Sequence, residues 1–140
     1  QGFFIFSPHH AHIDAIQREL RRLRQGQTLP FVDTVDRMQG QECDAVIVSY
    51  GVADPEYALQ EKDFIYSLNR LNVSITRARA KTIVLIPDAL IEPPIQAYED
   101  EVTGQGIAFM QGLVTFAETN GKSSIFELDT PGAALRLLRA

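Results

Sequence analysis

Within Leu68–Arg79, Arg70, Ser74 and Arg77 recur at i, i+4 and i+7, the spacing of one face of an α-helix. Leu68, Leu71, Ile75 and Ala78 form a second, apolar stripe suited to a core. The polar stripe, which Lys81 extends, presents guanidinium groups on a rigid support, and a fixed guanidinium can reach a phosphate carried by another molecule. A second group with chemical potential is Gln39, Gly40 and Glu42. Gly40 permits a positive φ or close approach of the backbone to a ligand. Gln39 and Glu42 place an amide and a carboxylate after the strand read at Phe31–Val35, at the end of a strand where open α/β sheets bind ligands. Ser7 stands before Pro8 as a helix N-cap, with Pro8 at the first helical position.

These residues need supports, and the flanking pattern supplies them. Phe3–Phe6 reads as a short buried strand, followed by a helix with Ile13, Ile16, Leu20 and Leu23 on one face that stops near Gly26. Strand, cap and amphipathic helix make the first half of a βαβ unit. Phe31–Val35 and Asp44–Tyr50 are the next strands, and the polar, acidic stretch from Gly51 to Phe64 reads as a loop. The helix of Leu68–Arg79 runs into Thr82–Ile86, a continuous apolar run expected to be a buried parallel strand ending at Pro87. Beyond Pro87 the chain changes character. Pro93-Pro94 and the acidic Glu99-Asp100-Glu101 precede a helix over about Gln105–Glu118, then a short strand at Ser124–Leu128 and a last short helix over Ala133–Arg139, started by Pro131.

The chain of 140 residues is 45% hydrophobic and 22% charged, which suits one domain with a core. Its net charge of −5 argues against a protein that coats nucleic acid through charge alone. It leaves room for a domain that touches a few phosphates through backbone amides and hydroxyls. Cys43 is the sole cysteine, which excludes an internal disulfide and a cysteine-based zinc site and fits a reducing, cytoplasmic (intracellular) setting. No apolar run reaches the ~20 residues that span a bilayer, so no membrane association is expected. The chain opens on Gln1-Gly2 without an initiator Met, as a fragment of a longer protein would. His9, His10 and His12 lack the carboxylate or cysteine partners of a metal site, and no metal is assigned to them. Arg18, Arg21, Arg22 and Arg24 form a basic cluster that Asp14 and Glu19 can pair with along the helix.

Three segments carry a family resemblance. Arg70-Leu71-Asn72-Val73-Ser74-Ile75-Thr76-Arg77-Ala78-Arg79 resembles motif VI of superfamily 1 helicases, which reads roughly R-L-N-V-A-L-T-R-A-R in the 5′-to-3′ branch of RNA-surveillance and flap-processing enzymes. Ser74 and Ile75 replace the usual Ala and Leu. Thr34-Val35-Asp36-Arg37-Met38-Gln39-Gly40-Gln41-Glu42-Cys43-Asp44-Ala45-Val46-Ile47-Val48-Ser49 is similar to motif V, S/T-V-D-x-F-Q-G-x-E-x-D-x-V-I-x-S, with Met38 in the aromatic position. The strand ending in Ser7-Pro8-His9 stands where motif IV has T-P-Y, a looser match.

The resemblance implies a three-layer α/β/α sandwich on a mainly parallel sheet. That is the second RecA-like domain of such a helicase, a P-loop NTPase superfamily fold without its own P-loop. It implies one domain over residues 1–140, with a core at 3–87 and a C-terminal extension at 88–140. Arg77 would be the arginine finger on the γ-phosphate of ATP. Gly40, Glu42, Gln39 and Arg70 would contact the nucleotide, with Glu42 on the ribose. Thr34, and Ser7 with the helix N-terminus, would meet a phosphate of single-stranded nucleic acid, DNA or RNA, although Ser7 is equally well explained as a cap. The phosphate cradle and the Mg²⁺ ligands would come from an N-terminal RecA-like domain of the same protein. Asn120-Gly121-Lys122-Ser123 ends like a P-loop, but Phe116 occupies the place of its first glycine. The alternative function is a non-catalytic helicase-like module that binds nucleic acid or a protein partner.

Overall fold

The computed structural model describes residues 2–38, 40–52, 54–129 and 134–139. Twelve elements follow the chain: β1 (Phe3–Phe6), α1 (His10–Leu23), β2 (Phe31–Asp33), β3 (Cys43–Ser49), α2 (Pro55–Gln60), α3 (Lys62–Ile65), α4 (Leu68–Ile75), β4 (Ala78–Leu85), α5 (Asp88–Ile91), α6 (Glu101–Asn120), β5 (Lys122–Glu127) and β6 (Ala134–Arg139). Single turns of 3-10 helix lie at Val35–Arg37 and Ile95–Glu99. The main sheet has four strands in the order β2-β1-β3-β4, each pairing parallel. Its register aligns Phe6 with both Asp33 and Val48, so the strands end together at one side of the sheet.

Alternation along the strands sends side chains into two layers. Ile5, Val32 and Ile47 turn toward Ile13, Ile16 and Leu20 of α1. Phe6, Val46 and Val48 turn the other way, toward Leu71 of α4, Ile65 and Tyr66 at the end of α3, Leu90 of α5, and Ile107 and Met110 of α6. This is the α/β/α sandwich on a mainly parallel sheet that was expected. The larger core lies on the α4–α6 side, where Val46, Leu90 and Ile107 are fully buried. Gly106 meets the Tyr66 carbonyl so closely that an added Cβ would sit 2.0 Å from it, which lets α6 pack against the end of α3.

Several elements differ from expectation, each for a local reason. Helix α4 stops at Ile75, and β4 begins at Ala78. The Thr76 hydroxyl donates to the carbonyls of Asn72 and Val73 in the last turn, and the Arg77 carbonyl accepts from the Cys43 amide, which starts pairing with β3. Strand pairing captures the chain before another helical turn forms. Strand β4 is parallel as expected but not buried: it is the sheet's edge, and Ile83 and Leu85 are exposed, outside the cluster that α1 forms with β1, β2 and Ile47 of β3. Helix α1 begins at His10, not after Ser7, because the Ser7 amide still donates to Asp33 and so belongs to the end of the ladder.

The expected loop at 51–64 contains α2 and α3. Asp54 accepts from the Glu56 amide at 3.0 Å and Pro55 takes the first helical position, a cap-and-proline signal visible in the sequence. Helix α6 starts at Glu101, earlier than expected, because Asp100 caps it through the Thr103 amide at 3.1 Å. Hydrogen bonds from Thr103 hold the Asp100 carboxyl below its ordinary pKa. The last expected helix is a strand instead: β6 pairs antiparallel with β5, and that pairing satisfies its backbone. Pro131 and Ala133, its expected start, lie outside the described residues. Lys122 and Ser123 follow a helix and enter a strand, the reverse of the strand–loop–helix order of a phosphate-binding loop.

Candidate functional site

The carboxyl ends of β1, β2 and β3 converge with the start of α4 on a small cavity of about 20 Å³. Ser7 and Thr34 each follow the last paired residue of their strand, Phe6 and Asp33. Val48 and Tyr50 come from the end of β3, and Ser67, Arg70 and Ser74 come from α4 and its cap. The polar groups here are neutral apart from Arg70. Ser7, Thr34 and Ser74 are all buried. The Ser7 hydroxyl accepts from the His9 amide at 3.2 Å and keeps its own proton to donate. Ser74 donates to the Arg70 carbonyl at 2.8 Å, and Ser67 caps α4 by accepting from the Arg70 amide. Thr34 donates its amide to the Asp33 carboxylate at 2.7 Å, while its hydroxyl makes no hydrogen bond among the described residues. Burial pushes the Tyr50 hydroxyl pKa upward, so it stays protonated here.

Two further contacts hold this end together. The His12 ring and the Ser49 hydroxyl are hydrogen-bonded at 2.7 Å, tying α1 to the end of β3. Gly51 at φ +61° lies directly under that ring, and a Cβ there would fall 2.2 Å from it. Burial, followed by the charge of His9, lowers the His12 pKa. Arg70 ion-pairs with Asp36 at 3.1 Å, and its guanidinium lies 4.0 Å from the centre of the Phe64 ring.

A second set of expected residues stands at the opposite, amino ends of β3 and β4. Glu42 directly precedes Cys43, the first residue of β3, and Ala78 pairs with Cys43. Glu42 was expected at the carboxyl end of a strand. The chain instead returns from the end of β2 to the beginning of the parallel β3, and this carries Glu42 across the sheet. Glu42 is exposed and pairs with Arg79 at 3.3 Å. Gly40 has φ +76° with open space around an added Cβ, so its backbone conformation rather than crowding demands glycine. Gln39 lies outside the described residues. Arg77 sits in the turn between α4 and β4, half-buried, with its Nε donating to the Val73 carbonyl at 3.3 Å. Arg70 and Arg79 each have a carboxylate partner, but Arg77 has none among the described residues.

The expected site residues therefore divide between the two ends of the sheet. Ser7, Thr34 and Arg70 come together at one, and Glu42 and Arg77 at the other. Asp36, Phe64 and Ser67 were not singled out from the sequence. Asp36 was within reach, being two residues beyond Thr34, whereas nothing local announces that Phe64 lies beneath Arg70.

The mainly parallel four-stranded sheet with helices on both faces is an α/β fold of the RecA-like kind. The chain belongs to the AAA domain family, which it matches over residues 2–88. It is 36% identical over 80 residues to an uncharacterized ATP-dependent helicase of Methanocaldococcus jannaschii, a match covering 56% of this chain and 11% of that protein. It is also 33% identical over 94 residues to the DNA replication ATP-dependent helicase/nuclease DNA2 of Bos taurus, covering 66% of this chain and 8% of that protein. The matched region is thus a small part of either relative. No helix among the described residues is long and apolar enough to cross a membrane.

Proposed function

We propose that this chain is the second RecA-like domain of a longer superfamily 1 helicase of the 5′-to-3′ branch, and that it supplies the arginine finger and part of the single-strand track. The observation that carries the reading is Arg77, a half-buried guanidinium with no carboxylate partner among the described residues. A partly buried cation without a counter-ion is receptive to an incoming anion. Glu42, next to the first residue of β3, stands at the same end of the sheet; the resemblance assigns it the ribose and places Gly40, two residues earlier in the same connection as Gln39, near the γ-phosphate. When a first RecA-like domain brings ATP and Mg²⁺ against this end, Arg77 would stabilise the charge that develops as the γ-phosphoryl group leaves. Ser7 and Thr34, at the other end, are neutral donors suited to a backbone phosphate of single-stranded DNA or RNA, which positions a strand without reading its sequence.

The names of the two helicase relatives agree with this reading. The test is ATP hydrolysis by the full-length protein with and without single strands, for wild type and Arg77→Ala. Strand-stimulated hydrolysis that the substitution removes is the expected result. Hydrolysis unaffected by Arg77→Ala would return Arg77 to a structural role.

A further inference from the structure

We propose that Arg70 serves the strand site rather than the nucleotide, as a third contact to a backbone phosphate beside Ser7 and Thr34, held in place by Asp36 and Phe64. The inference rests on the reading of Ser7 and Thr34 above and departs from the role that the motif resemblance gives Arg70. Position is the first argument. Arg70 lines the same small cavity as Ser7, Thr34 and Val48 at the carboxyl ends of the strands. Helix α4 then runs toward the amino ends, where the Arg77 carbonyl accepts from the amide of Cys43, the first residue of β3. Between these levels lies β3, Cys43–Ser49, about 20 Å of extended chain. One arginine side chain cannot serve both ends.

Chemistry is the second argument. Two hydroxyls position a phosphate but leave its charge unmet, and a guanidinium beside them meets it. Asp36 takes the Nε of Arg70 at 3.1 Å, and Phe64 supports the guanidinium from 4.0 Å. The terminal amino groups remain the donors for an incoming oxygen. The ion pair is too exposed to add much stability, with side-chain exposures of 36% for Arg70 and 51% for Asp36. Its consequence is to remove rotamer freedom from Arg70 before a ligand arrives. Asp36 also stands on the same turn as Thr34, at Val35–Arg37 just past β2, so the hydroxyl and the guanidinium share one mount.

The experiment follows binding of the full-length protein to fluorescein-labelled oligo-dT and oligo-rU by anisotropy across a salt series. With Arg70→Ala, the slope of log affinity against log salt should fall in magnitude by about 0.7, the contribution of one single-strand phosphate. Both oligonucleotides should weaken alike, and Arg70→Lys should keep the slope. A slope does not depend on the fraction of active protein, so partial misfolding cannot imitate the result. An unchanged slope for Arg70→Ala overturns the inference, and a raised KM for ATP alongside it would assign Arg70 to the nucleotide. Wild-type protein that hydrolyses ATP but binds neither oligonucleotide overturns the strand reading of Ser7 and Thr34 and the inference with it. Thr34→Ala weakening both oligonucleotides while Arg70→Ala leaves the slope intact overturns the inference alone.

Discussion

At the carboxyl ends of β1 and β2, most of the polar groups are neutral and buried, with Ser7 2% and Thr34 7% exposed. At the amino ends of β3 and β4, they are charged and largely open, the paired side chains of Arg79 and Glu42 being 58% and 59% exposed. The first arrangement is nearly complete within this chain. Its donors are fixed by the ends of the strand ladder, and the cavity between them is already shaped. The second lies open at the surface. Charges spread over an open surface are screened and mobile, and they gain catalytic strength only when another surface excludes water from them. On the proposed function, the first end would take the strand and the second would close against another domain.

The largest expected effect tests the amino-end cluster. In the full-length protein, Arg77→Ala should lower kcat by roughly 10³ to 10⁵ while ATP still binds. Arg77→Lys should rescue poorly, because an ammonium lacks the planar fork. Steady-state hydrolysis with thermal melts of each variant checks this. A rate within about threefold of wild type, far short of the arginine-finger range, would remove the distinction between the two ends.

The carboxyl-end cluster should respond through stability first. Gly51→Ala places a methyl group into the His12 ring at a positive φ, so a loss of roughly 1–3 kcal/mol is expected from backbone strain. Urea unfolding of wild type and variant measures it, and an unchanged midpoint would mean that the His12–Ser49 contact does not brace this end. Thr34→Ala should weaken single-strand binding about tenfold, the worth of one hydrogen bond to a charged oxygen at its low end. The loss should be equal across sequences, and sequence-dependent losses would instead point to base contacts.

Smaller effects sharpen the contrast. Glu42→Ala should raise the KM for ATP a few-fold, and Arg79→Ala less, because the exposed ion pair adds only about 0.2–1 kcal/mol. Equal effects of the two on KM would make Arg79 a direct ligand. The pH dependence of folding is the mildest case. Burial lowers the His12 pKa below 6.5, so the unfolded chain takes up this proton at higher pH than the native one. Stability is therefore full above the unfolded pKa and falls as pH drops from 6.5 toward the native value. Melting temperatures across that window should decline less steeply in His12→Gln than in wild type.

Much of the architecture was legible in local pattern. Phe3–Phe6, the spacing of Ile13, Ile16 and Leu20, and the apolar run of β3 each announce an element buried on a defined face, because periodicity reports which side meets a core, although Leu23, expected on the same face, is exposed at the helix end. The capped starts of α2 and α6, at Asp54-Pro55 and Asp100, were equally local and could have been read. The end of α4 could not. Leu68–Arg79 keeps helical spacing throughout, and only the Cys43 amide, far away in sequence, turns residue 77 into the start of a strand pair.

The same division runs through the site. Sequence alone determined the residue types in the segments that resemble motifs IV, V and VI, the glycine at position 40 and the short apolar runs that become parallel strands, since each depends on neighbours within a few residues. Tertiary structure decided that Glu42 and Arg77 face the amino ends while Thr34 and Arg70 share a cavity at the carboxyl ends. It also decided that β4 is an exposed edge, and that Phe64 lies beneath Arg70. Those outcomes follow from strand order and from the direction in which α4 crosses the sheet, both fixed by pairing between segments distant in the chain.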